Sequence, residues 1–214
     1  MATVVADDGA RARWARLVPV AFITYSLAYV DRANYSFGAA AGLAKDLNIT
    51  EGAGSLLGAL FFLGYFFFQI PAAHYAEHRS AKRLITTSLV AWGILASATG
   101  LISDLWLLYI VRFLLGVAES VVLPGMLILL SHWFTKPERS RAATFLILGN
   151  PITVLWMSVV SGYLVNSFGW RGMFIIEGLP AILWAAVFWF LVEDEPLKAR
   201  WLDRGAAERL SAEL

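Results

Sequence analysis

The sequence has no cysteine among its 214 residues, so it offers no disulfide framework, no thiolate nucleophile and no cysteine-based metal site. It also lacks the GxxxxGK[ST] loop that binds nucleotide phosphates and the HExxH helix motif of zinc peptidases. Charged residues are scarce at 15%, whereas 59% of the residues are hydrophobic. Soluble domains contain about a quarter charged residues, so this composition indicates an integral membrane protein.

Six apolar stretches are long enough to cross a bilayer, which takes about 20 helical residues. Long continuous runs in lipid are helical because the backbone must satisfy its own hydrogen bonds. The sequence therefore predicts an all-α integral membrane fold with six transmembrane helices in a bundle over 17–192. A segment 1–16 precedes the bundle, and a charged segment 193–214 follows it and is expected to form a short surface helix. The predicted spans are 17–40, 54–76, 84–102, 105–130, 142–165 and 172–192.

The basic residues lie mostly on one side of this arrangement. Of the 17 Lys and Arg residues, thirteen fall in the two end segments and in the connections after the second and fourth spans. The connections on the opposite side hold only Lys45 and Arg171. Because cytoplasmic loops are rich in Lys and Arg, we expect both termini in the cytoplasm and the chain in the inner membrane. The alternative, a cleaved N-terminal signal peptide, would leave five helices, whereas this charge pattern needs an even number.

Four ionisable residues, Asp31, Arg32, Arg112 and Glu119, fall well inside the predicted spans. At a rise of ~1.5 Å per residue, Asp31 and Arg32 lie about 21 Å from the cytoplasmic side, and Arg112, on an antiparallel helix, lies near the same depth. Glu119 is about two turns deeper than Arg112, on the same helix face. A charge at mid-bilayer costs about 2.5–3.5 kcal/mol on insertion scales, so such a cluster points to function.

Two interpretations of this cluster are open. One is a structural ion-pair network that joins the first and fourth helices, although buried pairs often stabilise no better than apolar replacements. The other is an aqueous cavity in which an arginine binds an anion and a carboxylate exchanges a proton. The cavity is favoured because polar residues continue along the same helices, as the stripe of Tyr25, Tyr29, Arg32 and Ser36 shows. Other polar residues inside the spans are Asn34, Tyr65, Gln69 and Asn150.

Other membrane functions fit these residues less well. A six-helix serine peptidase would need a base beside its serine, and no predicted span carries a central histidine. An ion channel can use a ring of acids as a filter, but paired acids and arginines suit anion capture better than a cation path. The sequence therefore favours a transporter over an enzyme or a channel.

Several motifs in order along the chain resemble the major facilitator superfamily. They are "YVDRANYSF" in the first span, "GYFFFQIPAAHYAEHRSAKR" from the second span into its loop, "RFLLGVAESVVLPGM" in the fourth, "HWFTKPERSRA" after it, and "FGWRGMFIIEGLPAILW" into the sixth. Within that family the chain is most similar to the anion:cation symporter branch, whose bacterial members carry sugar acids, tartrate, phthalate and similar anions. The resemblance implies symport of a small organic anion with a proton across the bilayer, without a cofactor.

The resemblance also implies roles for individual residues. Arg32 would bind the substrate carboxylate, and Asp31 and Glu119 would couple transport to protons while Arg112 tunes Glu119. The residues expected to line the cavity are Tyr29, Asn34, Tyr65, Gln69 and Asn150. The loop after the second span matches the family's gating motif through Glu77, Lys82 and Arg83. Both glycines of that motif are lost here, which puts its tight turn in question.

The resemblance predicts only the N-terminal half of a transporter, because family members have twelve helices in two six-helix halves around a central site. A truncated product, an assembly of two copies or a partner chain with the second half would each account for this. The charged segment 193–214 would then be the cytoplasmic start of the central loop. Two alternatives stay open at this stage: a facilitator or exchanger of another substrate class, and a six-helix membrane subunit that does not transport.

Overall fold

The computed structural model describes residues 2–214, except that the side chains of residues 2–8 and of Asp31 lie outside that description. Every regular element in the described range is helical, which confirms the predicted all-α class. In chain order the elements are α1 (Ala2–Gly38), a π-helical turn (Ala39–Leu43), α2 (Ala44–Asp46), α3 (Glu51–Tyr75), a second π-helical turn (Ala76–Ser80), α4 (Ala81–Thr99), α5 (Leu105–Glu119), α6 (Val122–Ser131), α7 (Lys136–Leu191), a 3-10 turn (Pro196–Lys198) and α8 (Arg204–Glu213).

Three continuous helical stretches are long and apolar enough to cross a membrane: Glu51–Thr99, Leu105–Ser131 and Lys136–Leu191. Glu51–Thr99 and Lys136–Leu191 each correspond to two of the predicted spans. In each stretch one residue between the two spans departs from helical geometry. Ser80 is extended (φ −164°, ψ 112°), and Gly169 leaves helical geometry at φ 68°, ψ 177°. A φ of this sign is open to glycine at little cost. The predicted span 17–40 lies in α1 and the turn that follows it, and the count of six stays a prediction.

Side-chain caps explain where several helices begin. Thr50, Ser80, Asp104 and Asp203 each accept a hydrogen bond from the backbone N–H three residues further on. These caps satisfy amides that have no partner inside the helix. At the start of α7, the Thr135 N–H and hydroxyl both donate to the Glu138 carboxylate. The polar residues between apolar runs therefore fix the starts of α3, α4, α5, α7 and α8.

Glycine allows the closest contact between helices, where α3 meets α5. A Cβ on Gly64 would collide with the carbonyl oxygen of Phe113, and one on Gly116 would collide with that of Phe61. Gly54 and Gly58 form a GxxxG spacing earlier in α3, but they make no such close helix contact. A Cβ on Gly58 would meet no described atom within 4 Å. The α3–α5 contact brings the middle of the two helices together, and it is there that the candidate site forms.

The end segment 193–214 packs against the start of the chain. The helix expected there is present as α8, and its Ala207 and Leu210 are buried. A Cβ on Gly9 of α1 would lie 3.2 Å from the Ala206 side chain, so α8 contacts the part of α1 that precedes the predicted span. Beside this contact, the rings of Trp133 and Trp201 stack with centroids 5.2 Å apart.

Candidate functional site

Arg32 of α1 and Glu119 of α5 form an ion pair inside the predicted spans, which we call the membrane pair. The Arg32 Nε donates to Glu119 Oε2 at 2.9 Å. The Glu119 side chain is fully buried, and that of Arg32 is 20% exposed. A buried carboxylate needs such a partner, because its desolvation would otherwise favour the neutral form. The pair therefore couples the charge of Glu119 to the position of the Arg32 guanidinium.

An aromatic residue from a third helix completes this cluster. The Arg32 guanidinium carbon lies 4.4 Å from the ring centroid of Tyr65 on α3, within the range of a cation–π contact. The Tyr65 ring in turn stacks on that of Phe61, with centroids 6.2 Å apart. Two predicted site residues, Arg32 and Glu119, thus meet a third, Tyr65, at the point where glycines let α3 and α5 approach.

The second buried arginine has a different environment. Arg112 is only 4% exposed, and its guanidinium carbon lies 4.2 Å from the Tyr35 ring centroid and 5.1 Å from that of Phe61. Its buried Nε has no hydrogen-bond partner, and no carboxylate among the described side chains pairs with it. Arg112 was expected to tune Glu119, but no described contact joins the two side chains. Arg32 of α1 pairs with the Glu119 carboxylate instead. Arg112 is a fixed positive charge held by aromatic rings.

The remaining predicted residues differ in how closely they join this cluster. Asn34 is 1% exposed and lies two residues from Arg32 on α1. Tyr29, Gln69 and Asn150 are half-buried, and none of the described hydrogen bonds, ion pairs or ring contacts links them to the membrane pair. Asp31 belongs to α1, but its side chain lies outside the described ones. Of the predicted residues, Arg32 thus contacts Glu119 and Tyr65, and the functional role of every predicted site residue stays a prediction.

The predicted gating loop makes contacts that the sequence did not indicate. Lys82 Nζ lies 2.9 Å from Glu193 Oε2, just past the end of α7. Asp194 accepts hydrogen bonds from the Ser80 hydroxyl at 2.6 Å and from the Lys82 amide at 2.8 Å. Ser80 stands where the motif has a glycine, and its hydroxyl also accepts from the Arg83 amide. The signal for this contact was the acidic run "EDE" directly after the last span, opposite a basic loop.

Of the three predicted gating residues, Lys82 is the one whose side chain forms an ion pair that the structure describes, with Glu193. Lys82 is buried, whereas Glu77 and Arg83 are exposed. The loss of the motif's glycines is accommodated by the π-helical turn Ala76–Ser80 and by the Ser80 cap. This segment therefore holds the end of α7 against the start of α4.

A second arginine–glutamate pair, which we call the collar pair, lies beside α8; its arginine is buried and its glutamate is partly exposed. Arg13 Nη2 donates to Glu138 at 2.8 and 3.0 Å, and Arg13 Nη1 donates to the Trp133 carbonyl at 2.8 Å. Burial alone would raise the pKa of Glu138, but hydrogen bonds from Thr135 and the charge of Arg13 outweigh it and lower that pKa. This pair was not predicted from the sequence, although Thr135 and Glu138 have the spacing of a capping box.

One more carboxyl inside a predicted span has a defined contact. The Ser161 hydroxyl donates to Glu177 Oε1 at 2.6 Å, and Ser161 is fully buried. These residues lie on either side of the break at Gly169. The hydrogen bond therefore joins the two parts of α7.

Comparisons with known proteins agree with this architecture. The sequence pattern of the Major Facilitator Superfamily matches residues 21–212. A protein of Agrobacterium vitis named "Putative tartrate transporter" is 33% identical over 193 residues, which are 87% of this chain and 43% of that protein. A "Quinolone resistance transporter" of Acinetobacter baumannii is 33% identical over 205 residues, 93% of this chain and 47% of that protein.

A solved structure gives the same result for the fold. The chain is similar to a bacterial homologue of the human lysosomal transporter Spinster, in an inward-facing and unoccupied conformation, with a TM-score of 0.79 at 20% identity. The match covers 86% of this chain and 44% of that one. The chain thus spans about half the length of the curated relatives it matches.

Proposed function

Because this chain belongs to the major facilitator superfamily, a family of multi-pass membrane transporters and not of enzymes, we propose that it supplies one wall of a proton-coupled symporter for a small organic anion. The remaining wall would come from a second six-helix half, a second copy or a partner chain. The bias of Lys and Arg toward one side supports an inner-membrane location with both termini in the cytoplasm.

The membrane pair is the observation that carries this proposal. Glu119 is fully buried and its charge is balanced by Arg32. Protonation of Glu119 would remove that balance and leave the Arg32 guanidinium to bind a substrate carboxylate, for which its planar fork of donors is suited. Loss of the proton would restore the pair and expel the anion. Anion binding and proton uptake are then two parts of one exchange.

The charges around the pair favour an anion over a neutral or cationic substrate. Arg112 adds a second buried positive charge, and aromatic rings rather than a described carboxylate surround it. Asp31 is the second predicted proton carrier. With both acids protonated, the four ionisable residues together carry two positive charges, which an organic anion would neutralise.

The polar residues around the cluster would select among anions. Tyr65 lies against Arg32, and Tyr29, Asn34, Gln69 and Asn150 supply hydroxyl and amide groups on α1, α3 and α7. Such groups would hydrogen-bond the hydroxyls of sugar acids or of tartrate. The similarity to a protein named for tartrate supports organic acids as the substrate class. The similarity to a protein named for quinolone resistance is equal in identity, so a quinolone is included among the compounds tested.

The test is a binding panel on the purified chain in lipid nanodiscs, with sugar acids, dicarboxylates, aromatic acids and a quinolone. We expect an organic acid to raise the unfolding temperature, and Arg32→Ala to weaken its binding by about 30-fold or more, since truncating one partner of a buried charge pair costs about 2–5 kcal/mol. Arg204→Ala, which removes an exposed arginine of α8, is the matched control.

Three outcomes of this panel are decisive. Loss of binding in Arg32→Ala alone supports the proposal. Unchanged affinity in Arg32→Ala removes Arg32 from the substrate site and favours a facilitator or exchanger in which the pair only stabilises the fold. Binding of the quinolone without any organic acid would replace the proposed substrate class.

A further inference from the structure

A wide cleft of about 840 Å³ lies outside the candidate site, where α3 ends, α4 begins and the chain leaves α7. We call it the inner cleft and define it by Tyr75, Arg79, Arg83, Trp189 and Lys198, all of which line it. These elements begin or end here next to predicted spans. The inner cleft therefore lies at the membrane boundary, on the side that carries segment 193–214.

The acids of this cleft are already engaged, which leaves its arginines available. Glu193 pairs with Lys82, and Asp194 accepts from Ser80 and from the Lys82 amide. Arg79 and Arg83 are exposed, and neither forms an ion pair with any carboxylate that the structure describes. Because an arginine presents a planar fork of donors, two arginines lining one cleft favour a phosphate over a chloride ion.

Two aromatic residues also line the cleft, and exposed apolar residues lie near them in the chain. Tyr75 is 43% and Trp189 40% exposed, and Lys82 Nζ lies 4.7 Å from the Trp189 ring centroid. Tyr and Trp are enriched at the level of lipid headgroups. One residue further along, Phe190 is 80% exposed on α7, and Ile70 is 78% exposed on α3. A ligand in this cleft would have its charge beside arginines and any acyl chain beside exposed apolar side chains.

From this juxtaposition we propose that the inner cleft binds the phosphate group of an anionic phospholipid, with Arg79 and Arg83 as its principal donors. Basic pockets between membrane helices are suited to such headgroups. The exposed Phe190 and Ile70 favour a lipid over free phosphate as the source of this group. The site holds the turn between α3 and α4 against the end of α7, so bound lipid would stabilise that contact.

The test is native mass spectrometry of the full chain, titrated with phosphatidylglycerol and, as the neutral comparison, phosphatidylcholine. A basic residue near an anionic membrane surface contributes about 1 kcal/mol, or roughly five-fold in affinity, so Arg79→Ala with Arg83→Ala should weaken phosphatidylglycerol binding by about 25-fold. Arg200→Ala with Arg204→Ala removes the same charge outside the inner cleft and should leave this binding unchanged. Melting in phosphatidylcholine nanodiscs checks that each variant is folded.

Two further measurements distinguish a specific lipid site from a diffuse basic surface and from a site for free phosphate. Arg79→Lys with Arg83→Lys keeps the charge and, if the alanine variant does not fold, provides the test: loss of the planar forks should still weaken binding measurably. Equal weakening by both alanine pairs would show a diffuse basic surface and overturn the site. Displacement of phosphatidylglycerol by inorganic phosphate at comparable concentration would overturn the lipid as its ligand.

Discussion

Two arginine–glutamate pairs tie α1 to later helices, and they differ in how completely each guanidinium and carboxylate is held. In the collar pair, Glu138 accepts from Arg13, from the Thr135 amide and hydroxyl, and from the Trp14 indole. Arg13 also donates to a backbone carbonyl. In the membrane pair, Arg32 contacts Glu119 through Nε, and its guanidinium faces a tyrosine ring.

This difference indicates which pair is suited to exchange its partner. To release Arg13, Glu138 would give up its two hydrogen bonds from Arg13 Nη2, each worth about 1.5–3 kcal/mol, and the carboxylate would still be held in place by Thr135 and Trp14. Arg32 would give up one hydrogen bond to Glu119 and could regain it from a substrate carboxylate. We therefore expect the collar pair to stabilise the fold, and we propose that the membrane pair is the contact that exchanges its partner.

The largest effect on stability is expected from breaking the collar pair. Glu138→Ala leaves the buried Arg13 guanidinium without its partner, so the free energy of unfolding should fall by about 3 kcal/mol. Denaturant unfolding in micelles measures this change. Glu208→Ala breaks an exposed pair on α8 and should cost less than about 1 kcal/mol. Equal losses in the two variants, or a change in anion affinity with Glu138→Ala, would break the distinction between the pairs.

A smaller effect is expected from disturbing the packing around the membrane pair. A methyl group at Gly116 would overlap the Phe61 carbonyl oxygen, so Gly116→Ala should destabilise the chain by about 2 kcal/mol. Because Phe61 and Tyr65 lie on one helix, this variant should also weaken anion binding. Gly58→Ala adds the same methyl group in open space, so it should leave anion binding unchanged and should not destabilise the chain. A neutral Gly116→Ala would show that the site does not depend on the α3–α5 contact.

The smallest effect concerns the pH dependence of the collar pair. The pKa of Glu138 lies below its ordinary value of 4.5, so the pair contributes its stability above that value and loses it as the pH falls through the lowered pKa. The difference in unfolding temperature between the wild type and Glu138→Gln should therefore be constant near neutrality and shrink below about pH 4.5. A difference that grows on acidification would contradict the assigned direction.

Much of this architecture follows from the sequence because the bilayer limits the choices. Predicted spans 54–76, 84–102 and 105–130 fall on α3, on α4 and on α5 with α6. Helical rise also converts residue number into depth, but that conversion placed Arg32 level with Arg112 and put Glu119 about two turns deeper. Depth along an axis does not determine which side chains touch, so the choice of Arg32 rather than Arg112 as the partner of Glu119 required the structure.

Other contacts were beyond sequence reasoning because they join distant segments. A GxxxG spacing occurs in α3 at Gly54 and Gly58, but the close approach to α5 uses Gly64 and Gly116. Short motifs of small residues occur often by chance, and only the neighbouring helix determines which are used. The Lys82–Glu193 and Arg13–Glu138 pairs likewise depend on how the chain ends pack, and periodicity carries no signal for that.

The central claim is that Glu119 exchanges Arg32 for a proton when an anion binds. Calorimetry of anion binding to the chain in nanodiscs, in buffers of different ionisation enthalpy, counts the protons taken up per anion. We predict that the wild type takes up close to one proton more per anion than Glu119→Gln does, and that its affinity gains about one further factor of ten per unit fall in pH relative to that variant. Binding without proton uptake by the wild type, or the same uptake in Glu119→Gln, would contradict it.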